Sequence, residues 1–440
     1  MKGTRYFKTL LLIVLPLMLV LSACGGSGDS VNNRTDASPG STGGDSSKKV
    51  KLQMWFWQGA SFEKIIPEFN KLHPDIEIVP QIYKWEDAHK KLLTAMSADS
   101  GGPDIAMIDI SQLDQFLKYP DKFYDLNEFG ASDLKDEYLE WKWNQSIVGD
   151  KQLGLPTDIG PMVLYYRADL FEKAGLPSAP EDVSAKISNW DEFLEAGRTL
   201  KEKTGVDMLS NPYELYGAIR DQGDELYFDK DDNMIIDQNP QIKKALEYYI
   251  KARDMGIAGT YDQKNALQEY SAALNSGKIA TYISAAWGRG HVETRAPDTK
   301  GNWRAAKIPE GTGNMGGSFL LIPKQSKYAE QAYEAIKWML SPEQQLEVAK
   351  ISGNFPSTPS VYGDKTFTEQ GFDFWGGQKL GVLFAEVSKD VKVQRKGPNY
   401  QTVEDIINDG MQAVTVGKSE DPEKEFWELV EKAKTKLKNK

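Results

Sequence analysis

Three histidines, His73, His89 and His291, are the first residues of this 440-residue chain that could bind a metal ion or transfer a proton. They lie far apart in unrelated contexts, no two are spaced four residues apart, and no His-Glu-x-x-His motif occurs. A zinc hydrolase of that type places two histidines on one helix face with a glutamate between them. The sequence therefore predicts no metal site, and we expect no cofactor.

The sequence also contains few of the residue patterns that covalent or acid–base catalysis requires. The only cysteine, Cys24, precedes the body of the chain, and neither a Gly-x-Ser-x-Gly motif nor a phosphate-binding glycine loop occurs. The run from Asp229 to Asn233 lacks the glycine and the closing glutamate of a calcium loop, so we expect a hairpin turn before Met234. Paired carboxylates remain possible among 64 acidic residues, since a glycoside hydrolase needs only two of them about 5–10 Å apart.

Residues suited to non-covalent binding stand at the ends of predicted strands. Trp57 and Gln58 follow an alternating strand that starts at Val50, and Asp109 follows the apolar strand from Ile105 to Ile108. Ligands of parallel sheets bind beyond the carboxyl ends of the strands. The alternative for Asp109 is a cap on the next helix, and one tryptophan of the Trp55/Trp57 pair is expected to pack under a helix.

The elements around these residues alternate between strand and helix. Periodicity predicts a helix from Ser61 to Pro74 with a kink at Pro67, and then a strand, a helix and a strand, at 76–79, 85–96 and 105–108. This order predicts a parallel sheet covered on both faces and an α/β class. Capping residues predict further helices after Asn189, Asn239 and Ser341.

Length and charge limit the function classes. The roughly 390 residues after residue 48 are too many for one core and predict two lobes. The formal charge is −11, and it becomes −14 if residues 1–23 are removed, because these carry three basic residues and no acid. An acidic surface argues against a nucleic-acid partner and against adhesion to anionic lipid.

The amino terminus has the layout of a secretory signal. A basic start is followed by the apolar run from Leu10 to Leu21, which is short for a membrane span. The sequence Leu21-Ser22-Ala23-Cys24 resembles the lipobox of bacterial lipoproteins; the alternative is a chance cysteine near an ordinary cleavage site. The resemblance implies a signal peptide at 1–23, a lipid on the Cys24 sulfur, and anchoring to the outer face of the cell membrane.

Residues 24–49 have the composition of a flexible tether. They are mostly Gly, Ser, Asp, Asn and Thr, with little to bury in a core. We expect this segment to hold the body away from the membrane, in an envelope of the single-membrane, Gram-positive type. The membrane is then contacted only through the lipid.

Five motifs in order resemble a known family. They are Trp55-Phe56-Trp57; Pro103 to Asp109; Gly154 to Pro161 leading into Leu164 to Phe171; Gly277 to Ala280 with Trp287; and Gly316-Gly317-Ser318 before Leu320 to Pro323. Together they resemble the extracellular solute-binding proteins of bacterial ABC importers, the family that includes maltose-binding protein. Arg167 departs from the pattern, and we interpret it as a surface or hinge variation.

This resemblance implies a two-lobe periplasmic-binding-protein fold of type II. Each lobe is expected to be a mixed, mostly parallel sheet flanked by helices, with a hinge between lobes. By analogy, residues 50–160 with 316–358 form the first lobe and residues 161–315 with 359–440 the second. The implied function is that of a monomeric receptor that captures a carbohydrate, an oligosaccharide in particular, and delivers it to the permease without chemistry.

The resemblance also implies ligand contacts. Trp287 aligns with a tryptophan that stacks on sugar in relatives, Asp158 lies in a crossing segment, Tyr213 follows Asn211-Pro212, and Ser318 follows two glycines. Sugars present apolar C–H faces and hydroxyl groups, which suit aromatic rings, amides and carboxylates. The structural alternatives are a hinge tryptophan for Trp287, a turn acid for Asp158 and a tight turn at Ser318. The basic pair Arg395-Lys396 is expected at the surface; in the cleft it would favour an acidic sugar.

Two other functions remain open. One is a cell-surface glycoside hydrolase, which would cleave oligosaccharides rather than only bind them. The other is an ABC receptor for a non-sugar solute, such as a glycerol phosphodiester, which would require basic residues in the cleft.

Overall fold

The structure is a computed structural model that describes residues 49–439. The predicted signal peptide, Cys24 and the tether up to residue 48 lie outside the described residues. The described strands are β1 Val50–Trp57, β2 Ile76–Tyr83, β3 Ile105–Asp109, β4 Ile147–Val148, β5 Lys151–Gln152, β6 Gly154–Pro156, β7 Asp158–Ile159, β8 Met162–Arg167, β9 Thr281–Ala285, β10 Trp303–Ala306, β11 Ser318–Leu321 and β12 Phe355–Pro356.

Helices surround these strands. They are α1 Ile66–Leu72, α2 Trp85–Ala98, α3 Ile110–Leu117, α4 Glu140–Asn144, α5 Ala168–Lys173, α6 Pro180–Lys186, α7 Trp190–Thr204, α8 Pro212–Arg220, α9 Pro240–Asp254, α10 Leu267–Asn275, α11 Gly288–Arg295, α12 Ala329–Met339, α13 Pro342–Ser352, α14 Lys365–Thr368, α15 Leu380–Val387, α16 Tyr400–Gly417 and α17 Pro422–Lys438. Within residues 49–439, none of these helices combines the length and apolar content that a membrane crossing needs.

The first sheet has the strand order β2-β1-β3-β11-β6. Strands β2, β1 and β3 are parallel, as their connecting helices predict, and β11 runs antiparallel to β3 and β6. Both faces are buried: Ile105 and Met107 pack into one core, and Ala106 and Ile108 into another. This explains why β3 is apolar at every position except its last.

The second sheet has the order β10-β8-β9. Its central strand β8 is also buried on both faces, since Leu164 and Tyr166 enter one core and Val163 and Tyr165 another. All of its ladders are antiparallel, so the expectation of mostly parallel sheets is wrong for this half. The local strand–helix–strand pattern that predicts parallel pairs does not apply, because β9 and β10 follow β8 by more than 110 residues.

Short segments connect the two sheets. Residues 157–161 lead from β6 to β8, and residues 307–317 lead from β10 back to β11; we refer to these two as the crossing segments. A third connection is made where β7 pairs with β12, with Asp158 opposite Pro356. This α/β arrangement of two sheets, each with its own cores, agrees with the predicted fold class.

Local predictions are confirmed at several helix starts. The side chains of Asn189, Asn239 and Ser341 accept hydrogen bonds from the first turns of α7, α9 and α13, each such cap being worth about 1 kcal/mol. The predicted hairpin turn is also present, since Phe228 pairs with Met234.

The prediction for the first helix is partly wrong. Phe62–Lys64 form a 3₁₀ turn, Ser61 provides no side-chain cap, and the α-helix begins only at Ile66. Pro67 therefore lies in the first helical turn, where its missing N–H is tolerated, and does not kink the helix.

The surface or hinge interpretation of Arg167 is wrong. Its side chain is buried at the end of β8 and makes two 2.7 Å hydrogen bonds to the carboxylate of Asp169. The guanidinium packs against Gly277, where the absence of a side chain leaves space for it. The paired charge allows an arginine in this position.

Candidate functional site

Three of the predicted site residues are neighbours at one edge of the first sheet. Ser318 lies directly opposite Asp109 in the antiparallel ladder between β11 and β3. On its other side, the carbonyl of Ser318 accepts a 2.9 Å hydrogen bond from the Thr157 N–H, and its own N–H donates to Asp158 Oδ1 at 2.9 Å. The ends of β3, β11 and β6 thus bring Asp109, Ser318 and Asp158 together.

Asp158 is buried and held by hydrogen bonds. The Thr157 hydroxyl and the Ser318 N–H both donate to Oδ1. Burial raises the pKa of Asp158 above its usual value, while these bonds and the Lys142 charge act in the opposite direction. The side chain is therefore a fixed acceptor in a dry position.

Asp109 has the alternative role that the sequence suggested. Its Oδ1 accepts hydrogen bonds from the N–H of Ser111 at 2.8 Å and from the Ser111 hydroxyl, and so caps α3. The residue stays partly exposed. Capping of α3 uses one carboxylate oxygen of Asp109. Contact between this residue and a ligand stays a prediction.

A buried lysine that sequence reasoning missed lies beside these acids. The amine of Lys142 is fully buried, has no hydrogen-bond partner among the described residues, and lies 4.0 Å from the centre of the Phe319 ring. Burial lowers its pKa to about 7, opposed by the charges of Asp158 and Asp109. A buried cation without a hydrogen-bond partner is costly even with two carboxylates nearby, which marks this position as unusual.

Trp287 lies at the start of α11, next to a crossing segment. Its indole N–H donates to the carbonyl of Met315 at 3.0 Å, and a Cβ at Gly316 would lie 3.2 Å from Nε1. The ring is partly exposed and meets His291 edge to face at 4.9 Å. The glycine at 316 thus allows the close approach of the indole, which a side chain there would crowd.

The two residues at the end of β1 differ in setting. Trp57 is partly exposed, and its ring centre lies 5.1 Å from that of His89. Trp55 is the member of the pair that is buried. Gln58 is exposed, and its backbone N–H donates to the carbonyl of Tyr83.

Tyr213 does not lie beside Asp109, Ser318 and Asp158. It belongs to a buried polar cluster in the half of the molecule that contains the second sheet. Its hydroxyl donates to Glu404, which also accepts from Tyr227 and from Arg220. Arg220 is in turn paired with Asp221 at 2.8 Å. The tyrosine predicted as a ligand contact is 8 % exposed and has its hydroxyl engaged.

A cavity of about 720 Å³ lies between helices and loops of the two halves of the molecule. One wall comes from α3, α4 and β4, and the other from residues 224–232 and 393–398. Its lining offers aromatic, amide and charged groups, among them Trp141, Phe228, Gln145, Asp114 and Arg395. We refer to it as the intersheet cavity; the seven predicted contacts lie outside its lining.

Lys396 connects the intersheet cavity to the strand-end residues. It lines the cavity, is 4 % exposed, and lies 3.8 Å from Asp221. Burial lowers its pKa, and the charge of Asp109 is among those that act against burial. The surface expectation is wrong for Lys396, because the Asp221 carboxylate and the Tyr400 ring stabilise a buried amine; Arg395 is more exposed and pairs with Asp232.

No cluster of three or more His, Cys, Asp or Glu side chains suited to a metal occurs within residues 49–439. The site residues instead offer hydrogen-bond donors and acceptors and aromatic faces. Such a set can hold a polar, hydroxyl-rich molecule without any metal or cofactor.

Sequence reasoning missed Lys142 for a physical reason. The helix α4 is only five residues long, so it has no apolar stripe that would assign Lys142 to the inside. Lys396 was misplaced because a Gly-Pro turn follows it directly, which is a surface signal. Both positions are decided by contacts between distant segments.

Comparison with known proteins identifies relatives of one kind. A family model described as "Bacterial extracellular solute-binding protein" matches residues 64–371. An arabinooligosaccharide-binding protein of Halalkalibacterium halodurans is 27 % identical over 368 residues, which cover 80 % of each chain. A lactose-binding protein of Rhizobium radiobacter is 26 % identical over 80 % of this chain and 84 % of its own.

Solved structures agree with the fold. A crystal structure described as an extracellular solute-binding protein of family 1 superimposes with a TM-score of 0.78 and 28 % identity. The superposition covers 88 % of this chain and 99 % of the other. The predicted two-lobe α/β fold class is therefore confirmed.

Proposed function

The chain belongs to the bacterial extracellular solute-binding proteins, and on this premise we propose that it is the receptor of an ABC importer for a carbohydrate, in particular an oligosaccharide. The relatives with arabinooligosaccharide-binding and lactose-binding names support the sugar. The observation that carries the proposal is the intersheet cavity of about 720 Å³, whose opposite walls come from the two halves of the molecule. The seven contacts proposed below lie outside its lining, and Ile110, a lining residue that directly follows Asp109, connects the cavity to them. Its size is in the range of small-molecule sites and leaves room for several sugar rings.

The proposed mechanism is capture by closure. The first lobe comprises residues 50–160 with 316–358, and the second comprises residues 161–315 with 359–440. These boundaries are supported by the two sheets, whose strands all come from one set or the other. A ligand that contacts both walls favours the closed arrangement, because it binds that state more tightly than the open one.

The proposed ligand contacts are Trp287, Asp158, Asp109, Trp57, Gln58, Tyr213 and Ser318. The adjacency of Asp109, Ser318 and Asp158 supports this set, as do the partly exposed rings of Trp57 and Trp287. Indole rings stack on the C–H faces of sugars, and the acids accept hydroxyl protons. Tyr213 has the weakest support, because its hydroxyl already donates to Glu404.

We assign no catalytic step to the chain. Its family and its relatives are binding proteins. Asp109 caps a helix and Asp158 is bonded to Thr157 and Ser318, which suits fixed acceptors. A glycoside hydrolase would instead release cleaved sugars, and a receptor for a non-sugar solute would fail to bind any saccharide.

The proposal extends to the location of the protein. A lipid on Cys24 anchors it to the outer face of the cell membrane, and residues 24–49 act as a tether. The motif Leu21 to Cys24 supports this assignment, and the extracellular character of the family agrees with it. The body acts as a monomer and delivers its ligand to the permease subunits.

A thermal-shift screen with a library of saccharides tests the proposal. A ligand that binds only the folded state at 100 times its dissociation constant stabilises it by about 2.7 kcal/mol. We expect arabinooligosaccharides or lactose to raise the melting temperature and to be recovered intact. Cleaved products would favour the hydrolase, and a shift only with phosphodiesters would favour the non-sugar receptor.

A further inference from the structure

His89 is a buried histidine that contacts two of the proposed ligand residues. Its Nδ1 lies 2.8 Å from the carbonyl of Trp85, one turn earlier in α2, and its Nε2 lies 3.1 Å from the backbone nitrogen of Asp109. An amide N–H can only donate, so Nε2 must accept and Nδ1 must carry the proton. The contacts therefore select one neutral tautomer of the imidazole.

The rest of the His89 ring is enclosed by aromatic side chains. The ring centres of Trp57, Trp85 and Phe116 lie 5.1, 4.8 and 6.2 Å from that of His89. The imidazole thus fills the space between the indole at the end of β1 and the backbone amide at the end of β3. One side chain supports both halves of the proposed strand-end contact.

Protonation would disrupt this arrangement. The imidazolium carries a proton on Nε2, which would face the N–H of Asp109, so one hydrogen bond would be lost and two donors would repel each other. The opposing influences are the carboxylates of Asp109 and Glu86, and the carbonyl of Trp85. Burial outweighs them and lowers the pKa of His89 below its ordinary value.

We propose that neutral His89 is a positioning residue that holds Trp57 and Asp109 in their binding geometry, so that protonation of this single imidazole weakens ligand capture in acid. The inference rests on the proposed function for its ligand. In the protein without ligand, the backbone of Asp109 and the ring of Trp57 should also shift together when His89 is protonated.

The other two histidines provide internal controls. His291 packs against Trp287, and burial together with the charge of Arg295 lowers its pKa to about 3, outside the same range. His73 stacks on Phe69 and lies 2.7 Å from Glu334, with no contact to Trp57 or Asp109. With three histidines in the whole chain, each resonance is assignable by substitution.

The first test needs no ligand. In ¹⁵N-labelled mature chain, the imidazole of His89 and the amides of Trp57 and Asp109 are followed by NMR from about pH 7.5 to about pH 4. We expect all three to change with one midpoint, below the ordinary pKa of a histidine, while His73→Gln leaves the transition in place. Independent midpoints, or an Asp109 amide that does not respond when His89 titrates, would overturn the inference.

The second test measures binding of arabinotriose and lactose over the same range. We expect the wild-type affinity to fall by at least about fivefold across the His89 transition, the ratio expected for one lost hydrogen bond. His89→Gln keeps an acceptor near Asp109 but cannot titrate, so its affinity should stay level with pH. A His89→Gln variant with the wild-type pH profile would contradict the assignment.

The two tests separate the claims. If neither sugar binds, specificity for arabinooligosaccharides and lactose fails, the saccharide library decides whether another carbohydrate binds, and the NMR titration still decides the role of His89. If His89→Gln folds poorly, the titration of the wild-type chain alone gives the answer.

Discussion

The backbone N–H of Gly397 donates a 2.6 Å hydrogen bond to Asp114 Oδ2 across the intersheet cavity, where Asp114 lines one wall and Gly397 lies between two lining residues of the other, Lys396 and Pro398. A second bond crosses nearby, from the side chain of Gln145 to the carbonyl of Gln394 at 3.2 Å. Burial raises the pKa of Asp114, so its carboxylate accepts the Gly397 hydrogen bond in a setting partly shielded from water. These direct bonds join the two walls across the cavity.

Asp114→Ala should weaken ligand binding by shifting the molecule toward the open state. Loss of a hydrogen bond to a charged group costs about 1.5–3 kcal/mol, which corresponds to roughly 10- to 150-fold in affinity if the bond forms only on closure. Isothermal titration with a bound saccharide measures the change. The control is Asp224→Ala, because Asp224 lines the same cavity but pairs with Lys392 on its own wall. Equal effects of the two substitutions would contradict the bridging role.

Trp287→Ala should lower sugar affinity while the fold remains intact. Stacking of an aromatic ring contributes about 0.5–1.5 kcal/mol beyond area burial, so we expect a loss of more than about 1 kcal/mol, or about fivefold. Trp287→Phe should retain most of the affinity. The control Trp427→Ala removes a partly buried indole from α17, whose ring contact is with Phe426 and not with a proposed ligand residue. An unchanged dissociation constant for Trp287→Ala would remove this residue from the site.

Gly317→Ala should destabilise the protein more than an alanine at another glycine of similar backbone conformation. Gly317 has φ 96°, and a Cβ there would lie 2.8 Å from both the Asp158 carbonyl and Lys142 Nζ. Gly301 has φ 90° but nothing within 4 Å of such a Cβ. Both substitutions pay about 1–2 kcal/mol of backbone strain, and the overlap at Gly317 should add about 1–3 kcal/mol.

Urea unfolding of the two glycine variants measures this difference. If Gly317→Ala lowers the free energy of unfolding by no more than Gly301→Ala does, the crossing segment moves aside at little cost. The same variant should also weaken ligand binding, since Gly317 lies directly before Ser318.

Lys142→Met should stabilise the protein most at neutral and lower pH. The folded-state pKa of Lys142 is about 7, below the ordinary 10.5. Between these values the unfolded chain binds more protons, so wild-type stability rises with pH across this window. The variant lacks this rise. Below pH 7 its free energy of unfolding should exceed that of the wild type by a few kcal/mol, and by at most about 5 kcal/mol.

Urea unfolding at several pH values measures the Lys142 effect, with the exposed Lys135→Met as the control. A variant that is less stable than wild type at every pH would show that the buried charge is stabilising through Asp109 and Asp158.

Cys24→Ala should abolish lipid attachment. If the sulfur of Cys24 carries the lipid, the variant enters the medium or retains its uncleaved signal peptide. Metabolic labelling with a radioactive fatty acid, followed by fractionation, measures both outcomes. The conservative control is Ser27→Ala in the tether, which should leave labelling unchanged. Persistent labelling of Cys24→Ala would refute the anchor.

Local pattern was sufficient for much of the fold. The apolar run Ile105 to Ile108 is a doubly buried strand, and the caps at Asn189, Asn239 and Ser341 start helices as predicted. These features depend on residues close in sequence. The error at Pro67 has the same origin, because an alternative 3₁₀ turn before it satisfies the same apolar spacing.

Contacts between segments far apart in the sequence could not be predicted from local patterns. The antiparallel second sheet joins strands more than 110 residues apart, and Lys396 is buried by Asp221 and Tyr400 rather than by its own neighbours. Near the candidate site, the sequence pattern correctly placed Trp57 and Asp109 at the ends of β1 and β3, but His89 and Lys142 behind them carry no sequence signal of their own. Their roles depend on what surrounds each ring or amine.

Small-angle X-ray scattering with and without saccharide tests the central claim most directly. If the two halves of the body close on a carbohydrate, a sugar that raises the melting temperature must also reduce the radius of gyration, and Asp114→Ala must reduce that compaction. A scattering curve that stays the same at saturating concentrations of every saccharide that binds would contradict capture by closure.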